Sequence, residues 1–157
     1  MNIGIDKFGL AIPEFFLDIR DLAVARNENA NKFLKGLLQL EMSVSPVTQD
    51  IVTLGATAAH EFLTEEDKKK IDMVIIGTET GVDQSKSASV FIHNLLGIQP
   101  FARCIEIKEA CYGATAGLDF AKKHIENNPD SYVLLIASDI AKYGIGTSGE
   151  STQGSGS

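Results

Sequence analysis

The sequence lacks several features that would place it in a special class of protein. It has no tryptophan, four prolines and two cysteines among 157 residues. Two cysteines are too few for a disulfide framework, so a reduced, cytoplasmic protein is the expected default. No run reaches the length of about 18 apolar residues that a membrane-spanning helix requires. Residues 1–6 lack the basic and then apolar order of a secretory signal peptide.

Positive charge is also scarce, with 14 lysine and arginine residues against 21 acidic ones and a net charge of −7. This balance repels phosphate backbones and anionic lipid, which argues against nucleic acid or a membrane as partner. Hydrophobic residues make up 44% of the chain, which is enough to build a core and excludes general disorder. The length is typical of one domain.

Strand-like and helix-like segments alternate along the chain. Short runs rich in β-branched or aliphatic residues predict strands over residues 2–12, 72–77, 102–107 and 132–137. Helices are predicted to start at Asp18, at Thr48 or Asp50, and at Thr64, and to cover residues 86–96 and 112–126. The alternation indicates right-handed βαβ units. We therefore expect an α/β fold with a mostly parallel sheet and helices on both faces.

The segment 144–157 has a different composition from the rest. It contains five glycines, four serines and two threonines, which predicts a tail that buries nothing. Composition alone favours a frayed terminus or a linker. The alternative is a glycine-rich turn whose following strand is missing.

Polar residues follow three predicted strands, as Thr78-Glu79, as Glu109-Ala110-Cys111 and as Ser138-Asp139. Ligands of open α/β sheets bind at the carboxyl ends of the strands, so a site is expected there. At a helix start, Cys111 would face unpaired amides and the helix dipole, which favour a thiolate and can stabilise an oxyanion. The alternative is a buried cysteine in a contact among small residues. Glu79 is either a partly desolvated acid or base, or a solvated loop carboxylate.

Other common sites are not indicated. The three histidines, His60, His93 and His124, fall on predicted helices with no metal-ligand spacing. Neither a Walker-type loop nor a dinucleotide-binding glycine pattern follows the first predicted strand. We expect no metal and no nucleotide cofactor.

The segment 106–117, Glu-Ile-Lys-Glu-Ala-Cys-Tyr-Gly-Ala-Thr-Ala-Gly, resembles the bacterial 3-hydroxy-3-methylglutaryl-CoA synthase family of thiolase-like condensing enzymes. The resemblance extends over essentially the whole chain and includes residues 2–7, 45–46, 49–51, 93–103, 142–144 and 152–154. It implies a thiolase fold built from two similar α/β halves. Residues 1–143 would be the N-terminal half-domain, and residues 144–157 a turn that leads to a missing strand, with the C-terminal half absent.

The resemblance also implies an activity, the condensation of acetyl-CoA with acetoacetyl-CoA in isoprenoid precursor synthesis. Cys111 would be the nucleophile that accepts the acetyl group, and Glu79 the general acid and base. Substrate contacts are implied at Asn29, Tyr143 and Thr152. The family works as homodimers, and the acyl-CoA substrates are the only small molecules implied.

This chain departs from the family pattern in several places. Leu38 and Asn29 stand where relatives have a glycine and an aspartate, and the loop after Gly144 also differs. The family takes a catalytic histidine from its second half, and no histidine here matches it, so the isolated chain is expected to lack full turnover. Two alternatives are a polyketide β-branching synthase that uses carrier-protein substrates, and a non-catalytic half-domain completed by a second chain.

Overall fold

The computed structural model describes residues 3–157. In chain order the strands are β1 (Phe15–Asp18), β2 (Glu41–Val44), β3 (Ile71–Gly77), β4 (Arg103–Ile107), β5 (Tyr132–Ala137), β6 (Asp139–Ala141) and β7 (Gly154–Gly156). The α-helices are α1 (Ile19–Ala25), α2 (Asn31–Leu34), α3 (Ile51–His60), α4 (Glu65–Lys70), α5 (Ala88–Leu96) and α6 (Gly113–Asn127). None of the helices within this described range has the length and apolarity to cross a membrane.

The centre of the fold is a three-stranded parallel sheet in the order β4-β3-β5. Two antiparallel pairs lie outside it, β1 with β2 and β6 with β7. The α/β class and the parallel sheet predicted from the alternation of strands and helices are confirmed. The bounds predicted for β5 agree with those observed, and those of β3 and β4 differ by one residue at the start.

Alternate side chains of β3 lie on opposite faces of the sheet, and helices cover both faces. Val74 and Ile76 pack in one cluster with Ile92 of α5 and residues of α3, whereas Met73 and Ile75 pack with Ala121 of α6. A central strand covered on both faces needs apolar residues at every position. This explains why residues 73–76 of β3 appear in the sequence as a continuous apolar run.

The predicted helix caps are confirmed. The Asp18 side chain accepts a hydrogen bond at the start of α1, and Asp50 and Thr64 each form a complete capping box at the starts of α3 and α4. Gly97 ends α5 in the left-handed conformation, with φ 65°. These local signals lie within a few residues of the helix ends, so the sequence alone reveals them.

The predicted first strand is wrong for the part that the structure describes, and Asn2 lies outside the described residues. Residues 3–13 form no strand. The segment packs on α3 instead, since a Cβ on Gly9 would lie 2.2 Å from the Ala58 carbonyl oxygen. Ala11 exchanges two backbone hydrogen bonds of 2.9 Å with Ser157. The alternation of Ile3 and Ile5 thus marks an extended segment over a helix.

The expectation that residues 144–157 bury nothing is also wrong. Glu150 and Ser151 are buried, at 5% and 8% exposure, and β7 lies within the predicted turn. The ion-pair partner of Glu150 is Arg26, which lies 124 positions earlier in the sequence. Local composition cannot reveal such a partner. That a further strand comes after the turn stays a prediction.

Leu38 has φ 54°, a left-handed conformation that costs a non-glycine residue about 1–2 kcal/mol. Its side chain is 84% exposed, so packing recovers little of that cost. We expect Leu38→Gly to raise the free energy of unfolding by about 0.5–1 kcal/mol, because glycine removes the strain but loses more backbone entropy on folding. A urea titration measures the change.

Leu37→Gly is the matched control for Leu38. Leu37 is also exposed, at 48%, but its φ is negative. A glycine there relieves no strain and increases the freedom of the unfolded chain, so the free energy of unfolding should fall. Equal effects of the two substitutions would contradict the assignment of strain to Leu38.

Candidate active site

The carboxyl ends of the three parallel strands meet at one edge of the sheet. Gly77 of β3 is in register with Ile107 of β4 and with Ala137 of β5. Just beyond these ends, the Thr78 amide donates to the Ile107 carbonyl oxygen at 3.2 Å. The three polar segments noted in the sequence therefore leave the sheet side by side.

Two glycines set the position of the segment that carries Cys111. A Cβ on Gly77 would lie 2.2 Å from the backbone nitrogen of Ala114, and a Cβ on Gly113 would lie 3.1 Å from the Gly77 Cα atom. The first turn of α6 thus packs directly on the backbone at the end of β3. The absence of both side chains lets Cys111 approach the residues that follow β3.

Cys111 is exposed, which excludes the alternative of a buried cysteine in a helix contact. It lies in a 3₁₀ turn over Ala110–Tyr112, before the first residue of α6. Ala110 in the same turn has φ 45°, a strained conformation of the kind that often occurs at functional sites. The other cysteine, Cys104, is partly buried, and burial raises the pKa of its thiol.

The 3₁₀ turn changes what the amides near Cys111 can do. The Tyr112 amide donates to the Glu109 carbonyl oxygen at 3.0 Å, and the Gly113 amide donates to that of Ala110. The expectation that the amides following Cys111 are all free for an oxyanion is therefore wrong for these two. The tight turn satisfies them locally.

Glu79 is exposed, so of the two alternatives the structure shows the solvated loop carboxylate. Its Oε1 atom accepts a hydrogen bond of 3.1 Å from the Tyr143 hydroxyl. This hydrogen bond raises the pKa of Tyr143, and the charge of Glu79, partial desolvation and the charges of Cys111 and Asp139 raise it further. The structure thus brings together three of the five residues implied by the resemblance.

Asp139 holds the segment that carries Glu79. Its Oδ1 atom accepts hydrogen bonds from the Glu79 amide at 2.8 Å and from the Thr78 and Thr80 hydroxyls, also at 2.8 Å. The sequence marked Asp139 only as a polar residue after a strand and gave it no role. An aspartate at that position can hold the loop after the neighbouring strand because the strands are parallel and adjacent.

Asn29 and Thr152 lie in other surroundings. The Asn29 side chain accepts a hydrogen bond of 2.9 Å from the Asn31 amide, next to α2. Thr152 lines a shallow cleft of about 610 Å³ together with Glu41 at the start of β2 and the four residues before it, Leu37, Leu38, Gln39 and Leu40. Among residues 3–157, no hydrogen bond joins Asn29 to Cys111, Glu79 or Tyr143.

Two histidines have partners away from this edge. The His93 Nε2 atom lies 2.9 Å from the Gln99 carbonyl oxygen, and the His124 Nε2 atom lies 2.9 Å from the Asp72 carboxylate near the start of β3. Within the part of the chain that the structure describes, no cluster of three histidine, cysteine or acidic side chains is suited to a metal ion. The edge of the sheet thus carries an exposed thiol on the segment after β4 and an exposed carboxylate on the segment after β3.

Comparison with known proteins gives consistent matches along the whole chain. A model of the family described as hydroxymethylglutaryl-coenzyme A synthase N terminal matches residues 1–157. The hydroxymethylglutaryl-CoA synthase of Enterococcus faecalis is 56% identical over 99% of this chain and 41% of its own length. A crystal structure of an HMG-CoA synthase complexed with CoA has a TM-score of 0.97 and 61% identity, covering 99% of this chain and 40% of that one.

A more distant relative has a different acyl carrier in its name. The polyketide biosynthesis 3-hydroxy-3-methylglutaryl-ACP synthase of Bacillus subtilis is 34% identical over 96% of this chain and 37% of its own length. The chain thus spans about two fifths of the length of these relatives. The structural matches show that the fold is thiolase-like.

Proposed function

The chain belongs to the hydroxymethylglutaryl-CoA synthase family, and from this premise we propose that it provides the nucleophile and the acid–base residue for condensing acetyl-CoA with acetoacetyl-CoA. The observation that carries the proposal is an exposed Cys111 at the sheet edge where Tyr143 hydrogen-bonds to Glu79. An accessible thiol suits acyl transfer, and an accessible carboxylate suits proton transfer to and from carbon. The product would be 3-hydroxy-3-methylglutaryl-CoA.

The proposed reaction starts at the thiol. The Cys111 thiolate attacks the thioester carbonyl of acetyl-CoA, a new carbon–sulfur bond forms, and CoA leaves as a thiolate that takes up a proton. The exposed position of Cys111 leaves room for the long acyl-CoA substrate to approach. The result is an acetyl group bound to Cys111 as a thioester.

Carbon–carbon bond formation would use Glu79. Its carboxylate removes a proton from the acetyl methyl group, and the resulting carbanion attacks the ketone carbon of acetoacetyl-CoA. Glu79 then returns the proton to the new alkoxide, and water hydrolyses the thioester to free the product and the thiol. The Tyr143 hydroxyl, bonded to Oε1 at 3.1 Å, orients the carboxylate during both proton transfers.

Three substrate-binding roles remain part of the proposal. Tyr143 lies at the proposed reaction centre, Thr152 lines the cleft beside residues 37–41, and Asn29 lies beside α2. In the family the catalytic histidine comes from the second half of the protein, and the partners of His93 and His124 hold them elsewhere. We therefore propose that residues 1–143 act as a half-domain that a second half must complete.

Incubation with acetyl-CoA tests the proposal. Intact-mass measurement should show one added acetyl group, and peptide mapping should place it on Cys111. The same chain should form no 3-hydroxy-3-methylglutaryl-CoA when acetoacetyl-CoA is added, because residues 1–157 span only about two fifths of the relatives' length. A folded chain that takes up no acetyl group would support the non-catalytic alternative.

The nature of the acyl donor separates the leading proposal from its enzymatic alternative. A polyketide β-branching synthase would take its acetyl group from an acyl carrier protein, as the name of the Bacillus subtilis relative suggests for that protein. The higher identity to the Enterococcus faecalis enzyme favours a CoA substrate here. Faster acetylation of Cys111 by acetyl-CoA than by an acetylated carrier protein is the expected result.

We also propose that the protein is a cytoplasmic homodimer that needs no cofactor beyond its acyl-CoA substrates. Two free cysteines suit a reducing compartment. β4 is an edge strand of the parallel sheet and directly precedes the turn that carries Cys111. Because an edge strand can pair with a strand of another chain, β4 could join two copies of this protein. Light scattering coupled to size-exclusion chromatography measures the mass, and a monomer at all concentrations would contradict the dimer.

A further inference from the structure

A nearly buried ion pair joins the end of α1 to the segment 144–152. The Arg26 Nε atom donates to both carboxylate oxygens of Glu150 at 3.0 Å, and its Nη2 atom donates to Oε1 at 2.6 Å. The Gly146 amide donates to Oε2 at 2.7 Å. Glu150 is 5% exposed, and its carboxylate is fully engaged by these donors.

Such an arrangement is unusual in a segment of this composition. Burial of a carboxylate is unfavourable unless it is paired and hydrogen-bonded. The hydrogen bonds from Arg26 and Gly146 hold the pKa of Glu150 below its usual range. Residues 142–148 are exposed and include two glycines, so packing restrains them little. The pair therefore adds a long-range restraint to the hydrogen bonds that form within the turn.

The segment held by this pair supports Tyr143. A Cβ on Gly149 would lie 3.0–3.3 Å from Tyr143 side-chain atoms, so the ring packs directly on the residue before Glu150. The Tyr143 amide donates to the Gln153 side chain at 3.2 Å, just after the same turn. The Tyr143 hydroxyl in turn donates to Glu79. A path of direct contacts thus leads from Arg26 to the Glu79 carboxylate.

We propose that Arg26 and Glu150 are a positioning pair, which fixes the segment 144–152 so that the Tyr143 hydroxyl stays bonded to the Glu79 carboxylate. Neither residue touches the reacting atoms. The catalytic meaning of the pair rests on the proposed function of Glu79, whereas the coupling to Tyr143 does not. A pair that merely stabilised the fold would leave the Tyr143–Glu79 contact unchanged in any variant that remains folded.

The titration of Tyr143 tests the coupling without reference to activity. In a Tyr112→Phe, Tyr132→Phe background, Tyr143 is the only tyrosine of three that remains. Carbon-13 NMR of its labelled ring then follows its ionisation. We expect Glu150→Gln to lower the pKa of Tyr143 toward its ordinary value, because the hydrogen bond to Glu79 raises it in the parent chain.

Two further variants complete the titration experiment. Arg20→Gln breaks an exposed ion pair with Asp18, the residue that caps the same helix, and should leave the Tyr143 titration unchanged. Arg26→Lys keeps the positive charge but loses the bidentate contact with Glu150, so it should lower the pKa of Tyr143 by a smaller amount. This variant replaces Glu150→Gln in the experiment if Glu150→Gln does not fold. An unchanged Tyr143 titration in a folded Glu150→Gln or Arg26→Lys chain would overturn the proposal.

Proton exchange at the bound acetyl group tests the catalytic consequence. In D₂O, Glu79 should exchange the methyl protons of acetylated Cys111, and mass spectrometry follows the gain of deuterium. Glu150→Gln should slow this exchange while the extent of acetylation stays the same. Exchange at the parental rate in Glu150→Gln would overturn the positioning role. A parent chain that takes up no acetyl group would instead count against the proposed function. The tyrosine titration would then remain as the test of the pair.

Discussion

Cys111→Ser should abolish transfer of the acetyl group from acetyl-CoA to the chain, with no label above background, while the fold stays intact. A serine hydroxyl does not ionise in the range where a thiol does, so the nucleophile is lost. Cys111 is exposed, and substitutions at such sites usually change the free energy of unfolding by about 0.5 kcal/mol or less. Intact-mass spectra and a urea titration measure the two quantities.

Cys104→Ser is the control for this experiment. Cys104 is partly buried beside the core cluster, and burial raises the pKa of its thiol, so it is both less accessible and less reactive. The Cys104→Ser chain should accept as much acetyl group as the parent. If the label persisted in Cys111→Ser and disappeared in Cys104→Ser, the nucleophile would be Cys104 and the assignment to Cys111 would be wrong.

Gly77→Ala should lower the free energy of unfolding by about 3 kcal/mol. The added Cβ would lie 2.2 Å from the Ala114 nitrogen and 2.5 Å from the Gly113 carbonyl carbon. Both are backbone atoms at the start of α6, which cannot yield unless the helix moves. Because Cys111 precedes this helix, the rate of acetylation should fall together with stability.

Two other glycines calibrate the effect of Gly77→Ala. Nothing lies within 4 Å of a Cβ on Gly4, so Gly4→Ala should be close to neutral. A Cβ on Gly117 meets mainly the end of the Leu135 side chain, at 2.5 Å, which can rotate away, so Gly117→Ala should have an intermediate effect. A Gly77→Ala chain as stable as Gly4→Ala would show that the close approach is not required.

The sequence predicted those parts of the fold that depend on neighbouring residues. The capping box at Thr64, a helix start at Thr48 or Asp50 and the bounds of β5 follow from short patterns. The structure agrees, with Asp50 as the observed cap. The segment 3–13 was predicted wrongly because alternation of apolar residues indicates an extended chain without showing what it pairs with.

For the candidate site, too, the sequence revealed some residues and not the distant ones that support them. The resemblance named Cys111, Glu79 and Tyr143, and the structure places them in one neighbourhood. The supports of these residues were not predicted, because Asp139 acts on a loop about 60 positions away and Arg26 on a residue 124 positions away. The sequence left the burial of Glu79 open, because that burial depends on which other segments pack over the end of β3.

The contact between Gly77 and Gly113 makes the position of the thiol a property of the backbone. Core side chains around β3 and α6 can then change during evolutionary drift without moving Cys111, as long as these two positions carry no side chain. The constraint on the site is concentrated in two residues that take no part in the chemistry. A redesign that replaced the surrounding core would need to preserve both glycines before any polar residue.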